Sequence, residues 1–195
     1  MRKNLLWSVP IIALVLLGAG CGESLGKKVD DQVDSAQATA SDKIAQEAAE
    51  RAMEKELEKN GQDGNVDVDD KSISITTGEG EFAIGENVAL PSGFPSEIPI
   101  YNGSKISTAS ASSETKEYSA SLNTEDTYED VVSFYKDALN SNGWTLGDTN
   151  TADLNGSGFT HLEATGHDLS LNVTVTSGVS FGDGKIQILL ATEAK

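Results

Sequence analysis

Two histidines, His161 and His167, one cysteine, Cys21, and a large surplus of carboxylates are the groups in this 195-residue chain that could catalyse or hold a metal. His167 adjoins Asp168, and a Ser-His-Asp arrangement is assembled in space rather than in sequence, so it is the nucleophilic device these residue types permit. Serines are so abundant that one lying near a histidine carries little information, and surface or rim histidines are the default expectation. Asp153-Leu154-Asn155-Gly156-Ser157-Gly158, with Glu163 beyond, begins like a calcium loop. An EF-hand needs its bidentate acid at the twelfth place, where Ala164 stands, and it needs flanking helices; a polar hairpin turn is the expectation instead. Asp67, Asp69 and Asp70 beside a turn could attract calcium loosely, yet a solvated charge run explains them as well. The sequence holds no GxGxxG, GxxxxGK[ST] or HExxH. No catalytic residue, cofactor ligand or metal ligand is named, and no enzymatic role is expected.

Charge narrows the partners. There are 31 Asp and Glu against 14 Lys and Arg, a net of −17, and nucleic-acid binding depends on cations that neutralise phosphates, so DNA and RNA are excluded as partners. Arginine is absent after Arg51, and from Asn65 to Lys195 there are 20 acids against six lysines, a net of −14. That stretch has no guanidinium fork for a carboxylate or phosphate. A lone cysteine rules out an internal disulfide, a zinc cluster and a CxxC pair.

The amino terminus reads as an address. Met1-Arg2-Lys3-Asn4 is a short basic region, Leu5 to Leu17 an apolar core, and Gly18-Ala19-Gly20 a run of small residues ending at Cys21. This is the layout of a secretory signal peptide, and it is too thinly apolar for the roughly 20-residue helix that crosses a bilayer. The segment resembles the lipobox of bacterial lipoproteins, in which the cysteine is acylated and becomes the new first residue; here Gly18 stands where the family usually has Leu, with Leu17 one place further back. The resemblance implies a palmitate-bearing anchor on Cys21 that holds the chain to a bacterial membrane, in the cell envelope and facing outside the cytoplasm. A diacylglyceryl group supplies the two acyl signals that stable anchoring requires. Without residues 1–20 the chain carries 12 basic and 31 acidic residues, so its body should be repelled by anionic lipid.

The elements that must position any site follow in four segments: a signal peptide over 1–20, an acidic Ala/Glu-rich tether over 21–64, a β-hairpin segment over 65–89 and an α+β domain over 90–195. Ala36 to Lys59 has helical propensity with a thin apolar stripe, Ile44, Ala48, Ala49, Met53 and Leu57. Its acidic ridge, Glu50, Glu54 and Glu58, runs beside Arg51, Lys55 and Lys59, as in a solvated helix; a weak partner-binding helix is the alternative. Val66, Val68 and Ser72 to Thr77 alternate like a hairpin, with Glu81 to Gly85 as a third short strand. Three prolines between Leu90 and Tyr101 predict an extended strap across the core.

Beyond it, Lys105–Ala111 and Lys116–Leu122 read as strands. A helix follows with Asp126 and Glu129 as a capping box, Tyr128, Val131, Val132, Tyr135, Ala138 and Leu139 on one face, and Asn142-Gly143 as the stop. Trp144–Leu146, Phe159–Thr165, Leu169–Thr176 and Lys185–Thr192 then read as strands. The fold class is α+β, an antiparallel sheet covered by one helix in the order strand-strand-helix-strands, preceded by the hairpin segment and a helical or disordered tether. Phe94-Pro95, Ile98-Pro99-Ile100-Tyr101 and Phe134-Tyr135-Lys136-Asp137-Ala138-Leu139 with Asn142-Gly143-Trp144 resemble a recurring domain of bacterial surface lipoproteins, mostly uncharacterised. The resemblance implies an α+β lipoprotein domain and no catalytic residue. The expected function is a lipid-anchored, non-enzymatic binding or envelope-assembly module with an envelope protein as partner. The alternative is a small-ligand carrier using a groove between helix and sheet, with Tyr118, Tyr128, Tyr135 and Trp144 as candidate lining.

Overall fold

A computed structural model describes residues 33–112, 114–154, 157–178 and 186–194. The signal peptide, Cys21, the Asn155-Gly156 part of the expected turn and the expected Gly182-Asp183-Gly184 turn lie outside the described residues. The chain divides into residues 1–38 and 39–195. Of the first unit only the opening of helix α1 (Val33–Lys59) is described.

In the second unit the strands are β1 (Gly64–Val68), β2 (Ser72–Thr77), β3 (Gly80–Gly85), β4 (Lys105–Ser112), β5 (Glu117–Thr124), β6 (Thr145–Leu154), β7 (Ser157–Gly166), β8 (Leu169–Ser177) and β9 (Ile186–Ala194). Helix α2 (Tyr128–Ser141) connects β5 to β6. All strands join one nine-stranded antiparallel sheet in the order β1-β2-β3-β4-β5-β9-β8-β7-β6. The class is α+β with a helix on the sheet, as the periodicities predict, but the sheet is larger. The segment expected to precede the domain as a separate hairpin belongs to the same sheet, because β3 pairs with β4 in register, Ala83 opposite Ala109. That pairing spans residues 86–104, and local sequence does not encode it. The strap itself supports it: Val88 N–H donates to Ile106 C=O at 2.9 Å, and Val88 and Ile98 are buried.

Period-two alternation sorts the sheet into two faces. Ala120 and Leu122 of β5, Ile188 and Leu190 of β9, Leu171, Val173 and Val175 of β8, and Leu162 and Ala164 of β7 point to one face. There they meet Val131, Tyr135 and Leu139 of α2, and Trp144 joins them. The opposite face of the same strands carries Ser119, Asn172, Thr174 and His161.

Helix α2 begins one residue later than the acidic pair implies. Thr127 is its N-cap, accepting from Asp130 N–H at 3.2 Å and donating its hydroxyl to Asp130 at 2.7 Å, so the box is Thr127/Asp130 rather than Asp126/Glu129. Threonine wins because Asp126 is still in the turn leaving β5, where its N–H donates to the Thr124 hydroxyl. The stop is as expected. Gly143 sits at φ +82°, which an L side chain resists, and Trp144 N–H returns to Leu139 C=O at 3.0 Å.

Two further expectations are corrected. The strand expected at Trp144–Leu146 runs instead from Thr145 to Leu154, with Trp144 in the core; among the described residues it pairs on the β7 side alone, most of its residues are exposed and polar, and no alternation announces it. The helix expected as a solvated tether has partners on the sheet. Glu50 Oε1 accepts from Val68 N–H at 3.1 Å and Glu54 Oε1 from Val66 N–H at 3.4 Å, so two acids of the supposed solvent ridge cap the outer edge of β1.

Candidate functional site

The core beneath α2 is filled. Tyr135 and Leu139 are fully buried, and Trp144, nearly so, donates its indole N–H to Glu97 C=O at 2.9 Å. Tyr135 stacks edge-on against Phe134 at 5.2 Å. Its hydroxyl makes no well-formed hydrogen bond among the described residues, and burial pushes its pKa above the ordinary tyrosine value. Tyr118 lies under the strap, edge-on to Phe94 at 6.0 Å, six residues along β5 from the end that leads into α2. Of the four aromatics expected to line a groove, Tyr135 and Trp144 are core and Tyr118 is strap packing. Aromatic identity on an amphipathic helix signals burial before it signals a ligand.

Tyr128 does line a groove, at the flank of the helix rather than beneath it. On α2, Tyr128, Val132 and Lys136 recur at four-residue spacing and share one side, with Glu129 and Ser133 at the rim. Across from them stand Thr151 of β6 and Thr160 of β7, and the open space between is about 300 Å3. Its floor is a run of hydroxyls: Tyr128 Oη lies 2.5 Å from Thr160 Oγ1, which lies 3.1 Å from Thr151 Oγ1. Gly158 makes the approach of the ring possible, since a Cβ there would meet the Tyr128 ring at 2.8 to 3.0 Å. The groove therefore offers an apolar wall, a polar floor and, at its mouth, one ammonium and one carboxylate. Lys136, Thr151 and Thr160 were not singled out from sequence, and Val132 was expected on the packed helix face and not in a groove. The i, i+4, i+8 series on α2 was readable there, but nothing in the polar run Asp148-Thr149-Asn150-Thr151 marks a groove wall.

A second, wider groove of about 660 Å3 runs over β2 and β3 beneath Glu86–Pro91. Its floor is Ser72, Ser74, Thr76, Glu81 and Ala83, and the Lys71–Glu86 ion pair, 2.9 Å, closes one end. Both Glu81 oxygens are taken by Ser92, by its hydroxyl at 2.6 Å and its N–H at 2.9 Å, which holds the Glu81 pKa below the ordinary carboxylate value.

The histidines do not converge. His161 is on the sheet face away from α2, with Nδ1 3.2 Å from the Thr174 hydroxyl and Nε2 3.7 Å from Glu163. His167 and Asp168, at φ +51° and +60°, form the two-residue turn between β7 and β8, where paired positive φ gives a type I′ hairpin. His167 packs on Trp144, ring centres 5.1 Å apart, and its Nε2–H tautomer donates to Asn142 C=O at 2.8 Å, so it locks the end of α2. Asp153 pairs with Gly158 in a hairpin flanked by strands, which is not calcium-loop geometry. Asp69 accepts from Lys71 N–H, Ser72 N–H and the Ser72 hydroxyl, each at 2.8 Å, and builds the β1–β2 turn. Among the described residues no group of three His, Cys, Asp or Glu side chains is placed to hold a metal. None of the described helices is long and apolar enough to cross a membrane.

A family model described as START domain-like matches residues 104–187, from β4 to the opening of β9. The matched region contains α2 and the flanking groove and leaves out α1, β1, β2 and β3. No curated protein matches the chain.

Proposed function

We propose that this chain is a lipid-anchored protein of the cell envelope whose β-sheet domain is a non-enzymatic binding module. The carrying observation is the open groove between α2 and the β6–β7 edge, where an apolar wall and a hydroxyl floor converge. Concave sites that mix apolar surface with a few placed polar groups are the usual form of binding sites. The START domain-like match supports this reading, because such domains are generally binding domains rather than enzymes, and it favours a small-ligand carrier as the second reading. Anchoring rests on the Arg2-Lys3 start, the apolar run and Cys21.

Two arms test the proposal. Cys21→Ser should leave the membrane fraction or remain unprocessed; unchanged processing and retention would remove the anchor. Separately, the full chain in detergent, incubated with envelope extract, should retain a bound species by native mass spectrometry that Ser133→Trp loses. Ser133 is exposed on the groove rim, so the indole fills the groove without touching the core. Equal retention by both proteins would overturn the groove as the site.

A further inference from the structure

The two edges of the sheet are finished differently. β1 has its outward Val66 and Val68 N–H groups capped by Glu54 and Glu50. β6, at the other end, is ten residues long, and from Thr145 to Ala152 its backbone is paired only toward β7 among the described residues. Every residue from Gly147 to Asp153 is exposed. An open edge is a template for another strand. This edge also forms one wall of the α2 groove, since Thr151 belongs to both. A helix alongside an open strand, with a groove between them, is the arrangement that receives an extended peptide: its backbone adds to the sheet and alternate side chains enter the groove.

We propose that β6 is a strand-acceptor edge for an extended basic segment of a partner protein, which places one apolar side chain in the groove between Tyr128, Val132 and Thr151. The inference rests on the binding-module reading and specifies what is bound. Charge selects the partner. The register puts Thr149, Thr151 and Asp153 on the groove face, and an added strand repeats every second residue on that face. An apolar side chain opposite Thr151 is therefore flanked two places on by side chains opposite Thr149 and Asp153, and the negative charge of the domain favours Lys or Arg there over Asp or Glu. Asp148 adds an acid on the other face, in a domain of net −14. The same charges oppose a second copy, because β6 against β6 would bring like-charged edges together. The groove's volume, about 300 Å3, is sized for a single side chain and not for a folded surface.

The test uses the full chain in detergent and the heptapeptide Thr-Lys-Thr-Leu-Thr-Lys-Thr, whose centre is Leu with Lys two places to either side. Hydrogen exchange should slow roughly fivefold or more across the β6 amides when peptide is present. Replacing both Lys by Glu, replacing Leu by Gly, or using Ser133→Trp should each weaken binding by about tenfold, equivalent to 1.4 kcal/mol. No protection of β6 at about 1 mM peptide, equal binding of the Glu peptide, or a β6-paired dimer of this chain in light scattering would each overturn the proposal. If β6 stays unprotected while the species lost in Ser133→Trp is still captured from envelope extract, strand addition fails and the binding module stands. If both are negative, both fail.

Discussion

Around α2 the sheet buries Leu122, Leu162, Val173, Ile188 and Leu190 completely, whereas at the β1–β3 end Phe82 is 41% and Ile84 44% exposed. The α2 region is held by close-packed apolar side chains. The β1–β3 region is held by polar clips: the Asp69 turn, the Lys71–Glu86 pair, the Ser92–Glu81 bonds and the two glutamates of α1. In this second region Asp69, Glu81 and Glu86 are held below the ordinary carboxylate pKa by backbone, hydroxyl and ammonium donors. The difference assigns roles. Burial at α2 supplies a rigid frame, and the flank groove lies where that burial stops, so its lining is positioned by the core without being part of it.

The largest expected effect tests the packed region. Leu139→Ala removes a fully buried side chain and should cost about 2–5 kcal/mol in a urea melt, much of the roughly 5–15 kcal/mol by which a domain of this size is stable. Asp137→Ala, on the exposed side of α2, should shift the midpoint by less than about 0.5 kcal/mol. Equal midpoints would end the contrast between the regions. Next comes Gly158→Ala. The added methyl pushes on the Tyr128 ring, so overpacking should cost about 1–3 kcal/mol and break the Tyr128–Thr160 contact, visible as a shift of the Thr160 methyl resonance. An unperturbed Thr160 would show that Gly158 does not set the groove. Thr127→Ala, which removes the N-cap, should cost about 1 kcal/mol, whereas Asp126→Ala should cost clearly less; the reverse order would restore the Asp126 box.

Much of the packed region was legible from sequence, and little of the clipped one. Tyr128, Val131, Val132, Tyr135 and Leu139 follow the helical period, and Gly143 marks the stop, so α2 and its buried face could be placed within a residue or two. Leu169, Val173 and Val175, with Ile186, Ile188 and Leu190, place β8 and β9 because a sheet face buried on one side must alternate. The β3–β4 pairing joins strands across the strap, and β6 carries threonine, asparagine and aspartate on both faces, so neither leaves a local signal. The sheet wall of the groove was missed for the same reason. It is an edge strand whose composition answers to solvent, and only Tyr128 of the expected lining faces the groove.

Acid separates the regions by a different lever. Asp69, Glu81 and Glu86 have folded pKa values below their ordinary 3.8, 4.5 and 4.5, so the stability they contribute is present above those values and is lost as pH falls through the lowered ones. Below about pH 4, amide protection corrected for intrinsic exchange should fall in β2, β3 and the Glu86–Ser92 strap before it falls in β8 and β9. Uniform loss across the sheet would mean that the clips and the core open as one unit.

The smallest effect is confined to two amides. Residues 50 and 54 are separated by four helical rises, about 6 Å, and Val66 and Val68 by two strand rises, about 6.8 Å, so one turn of α1 presents a carboxylate to each outward N–H of β1 in turn. Helix and strand run in opposite directions, which is why Glu50 meets Val68 and Glu54 meets Val66. Around these bonds α1 has only half-buried residues facing the sheet, Ala49, Met53 and Leu57 among them, so little apolar burial backs the contact. Replacing Glu50 and Glu54 together with alanine should speed exchange at Val66 and Val68 while the urea midpoint moves by less than about 0.5 kcal/mol, and Glu58→Ala, exposed on the helix, should change neither. A cooperative loss of stability in the double variant would place α1 within the structural core. The β1 edge would then be as firmly built as the α2 face, and the contrast between a packed and a clipped region would fail at the place where it is most exposed to test.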